Sequence, residues 1–280
     1  MTITFSRHQG TSPLVISIPH DGRRLPPRIA ARMSEAGQAL PDTDWYVRKL
    51  YEFAKLSGAT VVAAKYSRYV VDLNRPADDG ALYEGRVSSG LCPLKTFAGK
   101  AIYKEGETVS ERQKKRRVAR YWEPYHAELA DSLARMQDQF GYALLWEAHS
   151  IRGTLPLLFE GELPDMNIGT NDGQSCPKTI EDAVVKVAAA SPYSLVVNGR
   201  FKGGFITRHY GKPESKVFAM QLELAQRCYM NETTLRYDAK RAATLSDTLA
   251  KMLTAFQESA ASVIAADAKG TQHKNGDEDA

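Results

Sequence analysis

Leu14-Val15-Ile16-Ser17-Ile18-Pro19-His20-Asp21-Gly22 decides the fold, because an apolar run of strand length stops there on a histidine. An apolar run without alternation marks a strand buried on both faces. Ala143-Leu144-Leu145-Trp146-Glu147-Ala148-His149-Ser150 ends in the same way. Open α/β sheets bind ligands at the carboxyl ends of their strands. Two histidines delivered there by neighbouring strands could share one metal ion, which points to a zinc hydrolase. The alternative is a pair of ordinary polar residues at strand ends.

Outward from these two runs, strand-like and helix-like segments alternate, as in an α/β sandwich. Asp42-Thr43-Asp44 supplies capping carboxylates before a helix predicted near 44–57, where Val47, Leu50, Tyr51 and Ala54 recur at helical spacing. Gly58 ends it. Ala59 to Ala63 and Tyr69 to Leu73 read as strands. Residues 76–108, dotted with glycines, read as a long irregular excursion and the candidate lid. Residues 110–139 are helical in composition, with an interruption expected near Pro124.

Residues 143–146 and 155–159 read as further strands, and Asp165 to Cys176 as a loop. A helix is predicted to about residue 190, then a short strand at Leu195-Val196-Val197. Val217 to Leu224 is the last strand, and a helix covers about 238–265. The expected organisation is one catalytic domain over 1–268 and a disordered polar tail over 269–280.

The chain has 280 residues, 43% of them hydrophobic, which is ample for one large core. A net charge of +4 is too mild to argue for nucleic acid. The densest basic run, Lys114-Lys115-Arg116-Arg117, reads as a solvated helix face, with a site for an acidic partner as the alternative. Cys92, Cys176 and Cys228 match no metal or redox spacing, and their odd number fits a reducing compartment. No amino-terminal signal peptide is visible, and no apolar run approaches the ~20 residues a membrane span needs. The expectation is a cytoplasmic protein.

A catalytic zinc takes three ligands from His, Asp and Glu and keeps a position open for water. His20 and His149 are the first two candidates, and Asp44 is the third; Asp44 also reads as a plain helix cap. Glu223, in Ala219-Met220-Gln221-Leu222-Glu223-Leu224, shares one strand face with Gln221. It is either a general base beside a zinc-bound water or a solvated residue of an edge strand. Arg68, Arg75, Arg200 and Arg208 lie next to strand ends; together they suit a small dianionic substrate, while each singly reads as a surface or structural salt bridge. Gly199 to Gly204 matches no nucleotide fingerprint, and no Gly-x-Ser-x-Gly elbow is present. His126 reads as a surface or packing residue.

From about residue 12 to 232 the chain resembles the N-formylglutamate amidohydrolase family. The resemblance rests on Ile18-Pro19-His20-Asp21-Gly22, Asp42-Thr43-Asp44-Trp45 and the long string from Tyr66 to Pro76. Leu145 to Arg152, Asn198 to Gly204, Thr207 to Gly211 and Gln221 to Gln226 complete it in order. The resemblance implies a three-layer α/β/α sandwich with a mixed central sheet, phosphorylase/hydrolase-like, as in the zinc carboxypeptidases and aspartoacylase. It implies one zinc or other divalent ion on His20, Asp44 and His149, with Glu223 as general base and acid. Asp72-Leu73-Asn74-Arg75 is similar to a string in aspartoacylase that binds substrate carboxylate, which implicates Asn74 and Arg75. By the same likeness Arg68 steadies the oxyanion, and by charge and position Arg200 and Arg208 hold glutamate carboxylates. The implied reaction is hydrolysis of N-formyl-L-glutamate to formate and L-glutamate in histidine degradation, with aspartoacylase-like or broader deacylation as the alternative. A non-catalytic amino-acid-binding protein is the alternative of another class. Two positions depart from the family's pattern. Glu147 stands where Asp is expected, and Asp21, where a small or apolar residue is common, either competes with Asp44 as the carboxylate ligand or merely caps a turn.

Overall fold

The computed structural model describes residues 3–80 and 89–276. Its main strands are β1 (Phe5–His8), β2 (Leu14–Ile18), β3 (Thr60–Ala64), β4 (Ala143–Ile151), β5 (Met166–Gly169), β6 (Leu195–Val197) and β7 (Val217–Ala225). They form one mixed sheet in the order β1-β3-β2-β4-β7-β5-β6. The centre is parallel: β3, β2, β4 and β7 run together, while β1 joins β3 and β5 joins β7 antiparallel. The helices are α1 (Pro27–Ala30), α2 (Glu35–Gln38), α3 (Val47–Leu50), α4 (Glu111–Arg117), α5 (Glu123–Phe140), α6 (Lys178–Ala189), α7 (Phe205–Tyr210) and α8 (Ala239–Gly276).

Side chains alternate across the sheet and divide the core in two. Leu144, Trp146, Ala148, Phe218, Met220 and Leu222 pack with Ile180 and Val184 of α6 and with Leu249, Met252 and Phe256 of α8. On the other face Ala143, Leu145, Val217 and Ala219 meet Tyr125, Leu129, Leu133 and Met136 of α5. This second face changes character along the strands. After Ala143 and Leu145, β4 presents Glu147 and His149; after Val217 and Ala219, β7 presents Gln221 and Glu223. The apolar half anchors α5, and the polar half lies at the carboxyl ends, where a parallel sheet opens a crevice. The α/β sandwich with a mixed sheet is as expected.

Several local expectations are corrected. Tyr69 to Leu73 is buried but forms no strand, and it pairs with no ladder. Residues 155–159 form a turn, in which Leu158 N and Phe159 N donate to the Leu155 carbonyl; Pro156 has no N–H to give a sheet. The expected loop from Asp165 to Cys176 contains β5, a four-residue strand closed by Gly169. The helix expected over 44–57 is split into α3 and a 3-10 turn, Glu52–Lys55, and starts only after Tyr46, whose φ is +64°. Pro124 does not break its helix. The chain runs from α4 through a π turn, Val118–Trp122, directly into α5.

The basic run is no uniform solvated face: Lys115 and Arg116 are exposed, but Arg117 is buried. Helix α8 continues through residues 269–276 of the expected tail, and 277–280 lie outside the described residues, as do 81–88 of the excursion over 76–108. Among the described residues no helix is long and apolar enough to cross a membrane.

Candidate active site

Strand β2 ends at Ile18, and two residues later His20 points into the crevice, 3% exposed. Its backbone carbonyl accepts from Asp44 N at 3.1 Å, which brings the 41–44 turn beside it. Asp44 therefore caps no helix. Its Oδ2 accepts from His149 Nδ1 at 2.9 Å and from Ser150 N at 3.2 Å. It lies 3.8 Å from His20 Nδ1, a buried atom with no hydrogen-bond partner. The two imidazoles stand 4.8 Å apart between centroids. His20, Asp44 and His149 each offer a ligand atom, all within 4.8 Å of one another.

The far nitrogens of both rings are held by carboxylates. His20 Nε2 bonds Asp72 Oδ1 at 2.8 Å, and His149 Nε2 bonds Glu147 Oε1 at 2.5 Å. Carboxylates behind imidazoles fix ring orientation and raise ligand basicity. Both Nδ1 atoms are thus turned toward Asp44, a nitrogen–nitrogen–oxygen set that suits a divalent ion such as zinc. The orphaned His20 Nδ1 is the observation that this cluster could hold a metal ion. Asp21 lies off the cluster, with its carboxylate 3.5 Å from Arg48 Nε; burial pushes its pKa up to about 6, against the pull of Arg48 and Arg23.

Electrostatics separates the charged states. Burial opposes the charged form of His149, yet Glu147 and Asp44 outweigh it and hold its pKa well above the ordinary range. Burial and the Arg68 cation lower that of His20, beyond the opposing pull of Asp72. Asp72 is buried, but Arg68 and His20 keep it ionised far below the usual carboxylate range.

Glu223 sits on β7 in direct register with His149 on β4. β7 lies inside the sheet between β4 and β5, so Glu223 is no edge residue; it is 8% exposed and lines the cavity. Burial pushes its pKa up to about 8, against the pull of His149. Arg68 is also buried on the wall; its Nη2 donates to Asp72 Oδ2 at 2.6 Å, and its guanidinium lies 4.8 Å from the centre of the Phe97 ring.

The cavity over this group measures about 660 Å³. Asn74, Arg75 and Arg200 line it, as do Phe97, Lys114 and Gln221. Arg208 is not among the described lining residues, and its Nε donates to the Gly203 carbonyl at 2.8 Å. Asn74 spends its side chain inside the protein: Nδ2 donates to Glu147 and lies 3.0 Å from His149 Nε2, while Oδ1 accepts from Ile206 N at 2.9 Å. A Cβ on Gly204 would fall 2.1 Å from Asn74 Nδ2, so glycine is required for that approach. Arg75 donates to the Asn74 carbonyl at 2.9 Å and to Ser89 Oγ at 3.3 Å. Lys114 reaches the cavity wall and pairs with Asp79 at 2.7 Å.

Sequence reasoning missed Asp72 as the partner of His20, Phe97 beneath Arg68, and Thr207, whose N–H and hydroxyl both donate to Glu147. A signal for Asp72 was present, since an aspartate between Val71 and Leu73 in a buried run must find a charged partner. None was present for Phe97.

Comparison with known proteins gives one consistent result. Residues 12–230 match the family model described as N-formylglutamate amidohydrolase. The N-formylglutamate deformylase of Pseudomonas aeruginosa is 52% identical over 233 residues, covering 83% of this chain and 87% of the relative. That of Pseudomonas putida is 51% identical over 234 residues, with the same coverage. A crystal structure of N-formylglutamate amidohydrolase from Ralstonia eutropha superposes with a TM-score of 0.78 at 23% identity, covering 91% of this chain and 97% of that one. A protein of Agrobacterium tumefaciens has the same fold at a TM-score of 0.68 and 17% identity, over 90% of this chain and 95% of its own.

Proposed function

The chain belongs to the N-formylglutamate amidohydrolase family, and from this premise we propose that it hydrolyses N-formyl-L-glutamate to formate and L-glutamate with a divalent ion, zinc by its donor set, on His20, Asp44 and His149. The carrying observation is the direct register of Glu223 with His149 at the open end of a parallel sheet. The bound ion supplies Lewis acidity and lowers the pKa of water.

Glu223 takes the proton of the attacking water and returns it to the leaving nitrogen. Its buried place in the cavity wall beside the cluster suits a carboxyl that both takes and returns a proton. Arg68, pinned by Asp72 and Phe97, presents its guanidinium to the oxyanion of the tetrahedral adduct. Arg75 and Arg200 in the cavity wall bind the carboxylates of the glutamyl part. Arg208, whose Nε donates to the Gly203 carbonyl at 2.8 Å, is the further arginine we assign to the substrate carboxylates. In metabolism this reaction releases glutamate at the end of one route of histidine degradation.

The test is Glu223→Gln. Formate release falls by about 10²–10⁴-fold while metal content per chain stays as in the wild type. Full turnover in that variant removes Glu223 from the mechanism. Dialysis against a chelator abolishes formate release, and Zn²⁺ restores it; activity that survives complete metal removal refutes the metal-dependent reading.

A further inference from the structure

Residues 69–75 carry Asp72, Asn74 and Arg75, yet they belong to no strand or helix. Buried carbonyls in such a segment need partners from elsewhere. The continuous helix through α4, the π turn and α5 supplies them. Arg117 Nη1 donates to the Val70 carbonyl at 3.0 Å. His126 Nε2 donates to the Leu73 carbonyl at 2.8 Å, and Trp122 Nε1 donates to the Arg75 carbonyl at 2.8 Å.

The spacing of these donors is informative. Trp122 and His126 are four residues apart and share a helix face. Arg117 and Trp122 are five apart, which in a plain α-helix puts them on different faces. The π turn between them, in which Glu123 N donates to the Val118 carbonyl, adds one residue to that turn and aligns all three. Pro124, which has no N–H for the Arg120 carbonyl, follows immediately. Trp122 and His126 then stack at 3.7 Å between ring centres, 21° from parallel, which fixes both donors.

The geometry points to Trp122 as a positioning residue for substrate binding: its indole N–H holds the Arg75 carbonyl and thereby sets the Arg75 guanidinium in the cavity wall. Trp122 is not among the residues lining the cavity, so it acts through Arg75. The inference rests on the reading of Arg75 as a carboxylate-binding residue.

The experiment is a double-mutant cycle of Trp122→Phe and Arg75→Ala, with hydrogen exchange measured on the metal-loaded protein. Trp122→Phe raises KM for N-formyl-L-glutamate by about tenfold and leaves kcat within about twofold. In the Arg75→Ala background the same change lowers kcat/KM by less than about twofold. Exchange of the amides in a peptide spanning 69–76 accelerates by about fivefold or more, while β4 and β7 keep their protection. Losses that multiply in the double variant, or unchanged exchange over 69–76, overturn the proposal. If wild-type protein releases no formate from N-formyl-L-glutamate, the functional reading fails by itself, and the exchange comparison still decides whether Trp122 anchors the segment.

Discussion

On the α8 side of the sheet Trp146 is fully buried, 5.8 Å from the Phe256 ring between centres, and spends its one polar atom on the Tyr51 hydroxyl at 2.9 Å. One residue further along β4, on the α5 side, Glu147 is equally buried but touches polar groups: His149, Asn74, and the N–H and hydroxyl of Thr207. Neighbours in sequence thus serve two kinds of order. One face is held by area and shape, which tolerate a change of polar chemistry elsewhere. The other is held by a closed set of hydrogen bonds, in which each lost partner leaves another buried group unsatisfied.

The widest separation of the two faces comes from truncating these neighbours. Trp146→Ala removes a fully buried ring and is expected to cost about 3–5 kcal/mol, read as a lower urea midpoint, with near-normal metal affinity in the protein that remains folded. Glu147→Ala leaves the Nε2 of His149 without its carboxylate, and under the proposed metal-dependent reading metal affinity is expected to fall by about 10–100-fold. Equal metal affinities in the two variants would erase the distinction between the faces.

Acid provides the next test. His126 lies among the α5-side contacts, and burial lowers its pKa to about 4 from an ordinary 6.5, despite the Leu73 carbonyl. Its folded-state pKa is depressed, so below about pH 6.5 the unfolded chain binds a proton that the folded chain refuses. Stability is lost as pH falls from there and levels off below about 4, a total of about 3 kcal/mol. His126→Gln removes this dependence. Its stability deficit at pH 7 should shrink by about that amount toward pH 4, measured by denaturant titration at each pH. A constant difference across the range would show that His126 contributes no acid sensitivity.

The same contrast explains what the amino-acid sequence discloses. Runs such as Leu14 to Ile18 and Val217 to Leu224 pack by area, and area follows from residue type, so these strands were legible. Their polar ends were legible too, because His20, His149 and Glu223 interrupt apolar runs. Tyr69 to Leu73 has the same apolar composition, but its carbonyls bond Arg117 and His126 rather than a strand. Composition within the segment carries no trace of that, since the partners lie about fifty residues away. The π turn is equally silent, because Pro124 announces a disturbed helix and not its form. Asp44 reads as a cap because aspartate before a helical pattern usually is one; here His149 and Ser150 N claim its carboxylate.

The smallest effect separates the helix layers at their amino termini. Ser110 begins α4 with a reciprocal capping box, its hydroxyl accepting from Gln113 N while the Gln113 side chain accepts from Ser110 N. On the opposite side Asp238 accepts from Lys240 N and Arg241 N at the start of α8. Replacing either residue by alanine is expected to cost about 1 kcal/mol of stability. Only α4 leads into Arg117 and the anchored 69–75 segment, so Ser110→Ala alone should also raise KM, by roughly twofold, while Asp238→Ala leaves it unchanged. Steady-state kinetics on both variants checks this, and equal KM values in the two would mean that fraying at the start of α4 does not reach the site.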